Sequence, residues 1–357
     1  MTTLSKETVA QRITPGRIRW FRKEVIEVRG PEPLAMVRKR RAEGEALAPV
    51  VLLHGFGQNR YAWHLPERSF ANYLADRGFD VFNVELRGHG RSAELGAKRT
   101  SRGFDDYIQG DLPAILDAVR ERSGFSKVFM VGHSMGGLSC AAVGARHPDK
   151  VAGVISIGSP HALGRGHWVL GNGLKFLGYT VGSMGMLRRS AARLPVDLIG
   201  KALYATRFAF DSHLAPLPVR GWKPGSFEGG ELTSYMRSFD SESLSALDDL
   251  FTLAATGELR SRIDGSNHTQ LIEHSELPLL AVSGGADLIA NPGAVKALYE
   301  RSRSRDKQYI KVDAGHGDML VGKQAPNDVW PIVSGWLESR HANASDHKPI
   351  EPTRRSA

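Results

Sequence analysis

Val128-Phe-Met-Val-Gly-His-Ser-Met-Gly-Gly137 is the stretch whose reading decides the fold. A short apolar run passes directly into Gly-His-Ser-Met-Gly and then into Leu138, Ala141, Ala142 and Ala145, spaced as one face of a helix that Pro148 closes. A strand turning this sharply into a helix needs neighbours without bulk two residues either side of the bend, and Gly132 and Gly136 supply them. Ser134 is then held out at the carboxyl edge of a sheet. The pentapeptide alone occurs by chance in Gly-rich loops; between a buried strand and a helix it predicts an exposed, nucleophilic serine.

Working outward, residues 49–53, 79–84, 128–131 and 151–157 are short apolar runs of the kind a strand buried on both faces requires. Helical patterns separate them. Phe70, Tyr73 and Leu74 share a face that ends at Gly78, and Ile108, Leu112, Ile115 and Val119 repeat at i, i+4, i+7 and i+11, with Pro113 expected in that helix's first turns. The alternation predicts an α/β fold with a mostly parallel sheet and helices on both faces. Ahead of it, residues 16–28 and 34–39 read as an antiparallel hairpin at a sheet edge, broken at Gly30-Pro31-Glu32-Pro33.

From His161 to about Ser275 the alternation fails, and strands resume at 277–283 and 309–313, followed by an amphipathic helix through Val329, Trp330, Val333, Trp336 and Leu337. The expected organisation is a core in two parts, 1–160 and 276–338, with an inserted cap at 161–275 and a polar, disordered tail at 339–357. Within the cap, 244–253 reads as a helix. The apolar, Gly-broken run from Trp168 to Leu187 suggests a lid over an acyl pocket, with weak membrane-surface contact through Arg188, Arg189 and Arg193 as a further expectation.

The 357 residues are 41% hydrophobic and 24% charged, the balance of a folded globular protein. No stretch reaches about eighteen uninterrupted apolar residues and the N-terminus lacks a signal layout, so a cytoplasmic location is expected. Cys140 stands alone, leaving no intramolecular disulfide and no cysteine cluster for zinc. The net charge of +9 is concentrated early: residues 1–44 carry 11 Lys/Arg against 5 Asp/Glu. The densest part, Arg38-Lys39-Arg40-Arg41, reads as a solvated strand end, with anionic lipid or an acidic partner as the alternative; without interleaved aromatics it does not point to nucleic acid.

The chain resembles the α/β-hydrolase family of serine hydrolases over roughly residues 49–337. The strand at 49–53 runs into His54-Gly55-Phe56-Gly57, similar to the family's His-Gly-x loop, which implies an oxyanion hole formed by the backbone N–H groups of Phe56 and Met135. His54 itself is expected to pack beneath that loop. Glu85-Leu-Arg-Gly-His-Gly-Arg-Ser92 resembles the turn after the next strand, where Arg87 should form ion pairs and His89 has a structural role.

Since a hydroxyl is a poor nucleophile at neutral pH, Ser134 needs a base and a group holding that base in one tautomer. The family order is Ser, acid, His. Asp287, at the end of Leu279-Leu-Ala-Val-Ser-Gly-Gly-Ala-Asp287, and His316, within Val312-Asp-Ala-Gly-His-Gly-Asp318, stand where that order requires them. Asp313 and Asp318 compete for the acid role but sit less well, and His161, His167, His213 and His268 read as surface or lid residues.

Trp63-His-Leu-Pro and Val329-Trp-Pro are similar to lipases and polyester synthases. The synthases carry Cys at the elbow, and dehalogenases and epoxide hydrolases carry Asp, so Ser134 favours hydrolysis of an ester or related acyl bond of an apolar small molecule or lipid. Acyl transfer, perhydrolysis or C–C hydrolysis on the same three residues, and a non-catalytic binding module, are the alternatives. No metal or organic cofactor is implied.

Overall fold

The structure is a computed structural model and describes residues 1–96, 102–163, 165, 193–205 and 221–344. The described residues form eleven strands: β1 (Thr2–Thr14), β2 (Arg17–Arg29), β3 (Pro33–Arg41), β4 (Pro49–Leu53), β5 (Asp80–Glu85), β6 (Val128–His133), β7 (Val151–Ile157), β8 (Arg193–Leu194), β9 (Glu242–Ser243), β10 (Leu279–Gly284) and β11 (Lys307–Val312). Nine form one sheet in the order β1-β2-β3-β5-β4-β6-β7-β10-β11, while β8 and β9 pair separately. From β5 to β11 every pairing in the large sheet is parallel; β1 to β3 join antiparallel.

The central strands are buried on both faces because their side chains alternate between two cores. Val50, Leu52, Val81, Phe129 and Val131 enter one, with Trp63, Phe70 and Trp330; Val51, Leu53, Phe82, Val84, Val128 and Met130 enter the other, with Ile115, Val119 and Leu138. Each fully buried Val, Leu or Phe contributes about 1.5–3 kcal/mol, which is why runs with no polar alternation settle here. The expected helices form. Ser69 caps Phe70–Asp76, and Pro113 lies in the first turn of Leu112–Ser123, which a π-helical turn, Tyr107–Asp111, leads into.

Several expectations are corrected. The sheet edge is a three-stranded meander, since residues 2–14 form a strand as long as β2. Arg38 and Lys39 are not a solvated strand end: Arg38 Nε and Nη2 donate to the two carboxylate oxygens of Asp80 at 2.8 and 2.6 Å, and Lys39 Nζ donates to Asn72 Oδ1 at 2.7 Å, with both side chains buried. His161 and His268 are buried rather than superficial, beside Glu273 and Asp105. Structure continues past Ser339 into a turn, His341–Ala344, whose last residue is buried, so the tail expected from 339 keeps fixed structure at its start.

In the insertion, described helices run at Val196–Ala205, Gly229–Met236 and Leu244–Thr256, the last capped by Ser243 and ended by Gly257 in the left-handed region. The next helix, His268–His274, packs on the helix that follows β6, so the core's helical layer resumes before residue 276. The expected lid, residues 168–187, its neighbours Arg188 and Arg189, and His167 and His213 lie outside the described residues. No helix of the described residues is long and apolar enough to cross a membrane.

Candidate active site

Ser134 sits between β6 and the helix Met135–Arg146 with φ 54° and ψ −123°, and among the described residues it is the only non-glycine at positive φ. That conformation costs an L-residue about 1–2 kcal/mol, held here by surroundings that admit no side chain. A Cβ on Gly132 would fall on the Gly136 carbonyl, one on Gly136 on the His54 carbonyl, and one on Gly137 on Ser159 Oγ. The turn is fixed further by Ser134 N, which donates to the Ile157 carbonyl at 2.8 Å.

Asp287 follows β10 and His316 follows β11, at the same sheet edge as the serine. His316 Nδ1 donates to Asp287 Oδ2 at 2.8 Å, and Asp287 Oδ1 accepts from the backbone N–H groups of Ile289 and Ala290 at 2.8 Å each. Three of the carboxylate's roughly four acceptor directions are thereby engaged with donors. The His133 and His316 rings lie 4.5 Å apart, and His133 Nε2 lies 3.0 Å from the His316 carbonyl oxygen, which joins the histidine loop to the elbow. Ser134 and His316, each 9% exposed, open onto one cavity. Asp313 pairs instead with Lys223, and Asp318 accepts from Ser226 Oγ at 2.7 Å, so neither competitor holds His316.

The loop after β4 presses against the elbow. A Cβ on Gly55 would come within 3.1 Å of Ser134 Cβ, and Gly55 N donates to Gln58 Oε1 at 3.1 Å. The N–H groups of Phe56 and Met135 have no acceptor among the described residues. His54 is buried, and Leu86 N donates to its Nε2 at 3.3 Å; burial lowers its pKa to about 4, so it stays neutral. Arg87 donates to Asp111 and also pairs with Asp106. His89 meets Glu242 of the cap at 3.2 Å, and Glu242 also accepts from Gly57 N at 3.1 Å and from Tyr107 Oη at 2.8 Å. Burial opposes charge on this pair, but mutual attraction prevails, raising His89 and lowering Glu242 to about 2. The cap is thus tied to the loop that carries Phe56.

Sequence reasoning did not find Gly158 or the cavity walls. Gly158, at φ +57°, lies under the acid–histidine pair: a Cβ there would stand 2.9 Å from Met319 Cε, 3.4 Å from His316 Nδ1 and 3.5 Å from Asp287 Oδ2. Its position directly after β7, where a parallel strand turns toward the site, was the available signal. The cavity, about 370 Å³, is walled by Tyr235, Phe239, Leu247, Leu250, Phe251 and Ile289. Leu247, Leu250 and Phe251 are one face of Leu244–Thr256. Burial pushes the Tyr235 phenol up, and it keeps its proton beside Gln58.

A mainly parallel sheet, a strained serine turn and an aspartate–histidine pair delivered by its last two strands define the α/β-hydrolase class. The family model described as alpha/beta hydrolase fold matches residues 48–323, and the chain belongs to that family. Among curated relatives it is 23% identical to the poly(3-hydroxyalkanoate) polymerase subunit PhaC of Haloferax mediterranei over 88% of this chain and 63% of that protein, so it spans less than two thirds of that relative. It is 23% identical to lipase member K of Mus musculus over 83% of this chain and 81% of the lipase. Epoxide hydrolase B of Mycobacterium tuberculosis is 31% identical over 49% of this chain and 45% of its own length. The fold is shared with a thermophilic esterase from Thermogutta terrifontis, TM-score 0.57 at 17% identity over 89% of this chain and 99% of that one. It is shared also with a soluble variant of the monoglyceride lipase of Saccharomyces cerevisiae, TM-score 0.58 at 18% identity over 88% and 96%.

Proposed function

We propose that the protein hydrolyses carboxylic esters whose acyl part is apolar, through an acyl-enzyme on Ser134. The observation that carries this reading is the shared cavity: a strained serine and a carboxylate-held histidine open together onto walls that are almost entirely hydrocarbon and aromatic. Ser134 Oγ attacks the acyl carbon while His316 Nε2 takes its proton. The carbonyl oxygen becomes an oxyanion held by the Phe56 and Met135 N–H groups, and Asp287 stabilises the imidazolium. On collapse His316 returns the proton to the departing alkoxide. Water, deprotonated by His316, then attacks the acyl-serine, and His316 gives that proton to the departing Ser134 Oγ as the acid is released. The protein is further proposed to work without metal or organic cofactor.

An ester series of increasing acyl length, assayed with and without a competing alcohol, tests the substrate class. Turnover should rise from acetyl to medium-chain esters, and Leu250→Asp should lower KM-dependent activity on the longer ones by about tenfold or more, since it sets a charge in an apolar wall. Equal turnover of all chain lengths in wild type and variant would overturn the acyl-pocket assignment. Product ester formed with alcohol present would instead mark acyl transfer from the same intermediate.

A further inference from the structure

A second cavity, about 610 Å³, shares no lining residue with the Ser134 cavity. It lies against one face of the sheet edge, where Lys23 and Val25 of β2 stand beside Val37 and Lys39 of β3, and the loop Arg60–Trp63 with His64 closes another side. The tip of the β1–β2 hairpin bends back to reach the helix Phe70–Asp76: Ser69 N donates to the Ile13 carbonyl at 2.9 Å and Asn72 Nδ2 to the Arg12 carbonyl at 2.7 Å. A cleft results, with Arg12, Arg91 and Arg237 at its rim.

Its charge is one-sided. Six Lys/Arg residues and His64 line it, with no Asp or Glu. Two of the cations are neutralised from outside the lining, Lys23 by Glu7 and Arg60 by Glu85. The side-chain charges of Arg12, Lys39, Arg91 and Arg237 make no ion pair with a carboxylate among the described residues, although the Arg91 backbone N–H donates to Glu85 Oε2 at 2.9 Å. Lys39 is 4% exposed and is satisfied only by Asn72 Oδ1, with the His64 ring nitrogens 3.4 and 3.5 Å away. Burial, with Lys23 and Arg60 nearby, holds the Lys39 ammonium well below the usual lysine range, and an anion seated beside it would favour its charged form. Val25, Val37 and the Tyr61 ring, over which the Arg60 guanidinium sits at 4.5 Å, add an apolar wall too large for a bare ion.

We propose that this cleft is a binding site for a phosphate-bearing organic molecule, its phosphate directed to Lys39 and the arginine rim and its organic body lying against Val25, Val37 and Tyr61. Mono- and diphosphates share the needed chemistry, and lipid phosphate is distinguished by experiment. The site is independent of the esterase reading.

Isothermal titration of the full chain with ADP, pyrophosphate and inorganic phosphate, at fixed ionic strength in chloride, with phosphatidylglycerol vesicles run alongside, provides the test. ADP should bind saturably, one per chain, with Kd below about 1 mM and more tightly than inorganic phosphate. Arg12→Gln and Arg237→Gln, both at exposed positions, should each weaken ADP by about tenfold without moving the melting temperature. Lys39→Met should abolish binding; if that variant does not fold, the two rim variants decide. Absence of saturable binding by all three probes overturns the proposal. So do unchanged affinities in the rim variants, inorganic phosphate binding as tightly as ADP, or binding confined to phosphatidylglycerol vesicles.

Discussion

Asp287→Asn changes one atom of the acid, and the structure dictates which way the new amide must face. Oδ1 receives two backbone N–H groups at 2.8 Å, from Ile289 and Ala290, while Oδ2 receives His316 Nδ1–H at 2.8 Å. Placing the NH2 against the two amides would oppose donor to donor twice in a buried site, at about 1–3 kcal/mol for each lost bond. The amide oxygen therefore keeps the Oδ1 position and the NH2 faces His316. There it can only donate, so Nδ1 must become an acceptor and the proton moves to Nε2, the atom that has to receive the Ser134 proton. Turnover should fall by about 10⁴, or about 5 kcal/mol in barrier, while stability changes little because every backbone bond to the residue survives. Initial rates on a chromogenic medium-chain ester, with a thermal melt of both proteins, measure this. A variant within about tenfold of wild type, equally folded, would refute the assignment of Asp287 as the group that sets the tautomer.

Gly158→Ala should cost about 2–4 kcal/mol, combining left-handed strain with the shift forced on Met319, and should lower turnover by disturbing the Asp287–His316 bond; denaturant melts and rates check both effects. Arg38→Met leaves Asp80 buried without its bidentate partner and should destabilise the protein by about 3–5 kcal/mol, read from the same melts. The His89–Glu242 pair predicts a stability window: the raised histidine contributes fully below about pH 6.5 and loses its contribution as pH rises through its folded value, and the lowered Glu242 contributes above about pH 4.5 and fails as pH drops toward 2. Glu242→Gln should flatten the pH dependence of melting outside that window, below about pH 4.5 and above about pH 6.5.

The central strands were legible because burial on both faces leaves no room for polar alternation, and β7 was read with its observed ends. The serine turn, the acid and the histidine were legible for a related reason, since each follows directly on an apolar strand and topology then fixes the edge at which it emerges. β1 was not legible. Only Ile13 of Thr2–Thr14 is buried, so a strand that stands at the sheet edge leaves no hydrophobic signature. Nor could Arg38 and Lys39 reveal their burial, because Asp80 and Asn72 lie 42 and 33 residues away in sequence and nothing local announces them. The cavity walls were hidden similarly: the helix around Leu247–Phe251 was foreseen, but which face meets the site depends on how the cap docks, and Glu242 bound to Gly57 and His89 fixes that docking across 185 and 153 residues.

In the proposed reaction Ser134 Oγ is the atom that forms the covalent intermediate. Intact-mass spectrometry after exposure to a fluorophosphonate tests this directly: wild type should gain one adduct, mapped to the peptide containing Ser134, and Ser134→Ala should gain none. An adduct of equal yield in both proteins, or a folded wild type that is never labelled while turning over esters, would contradict it.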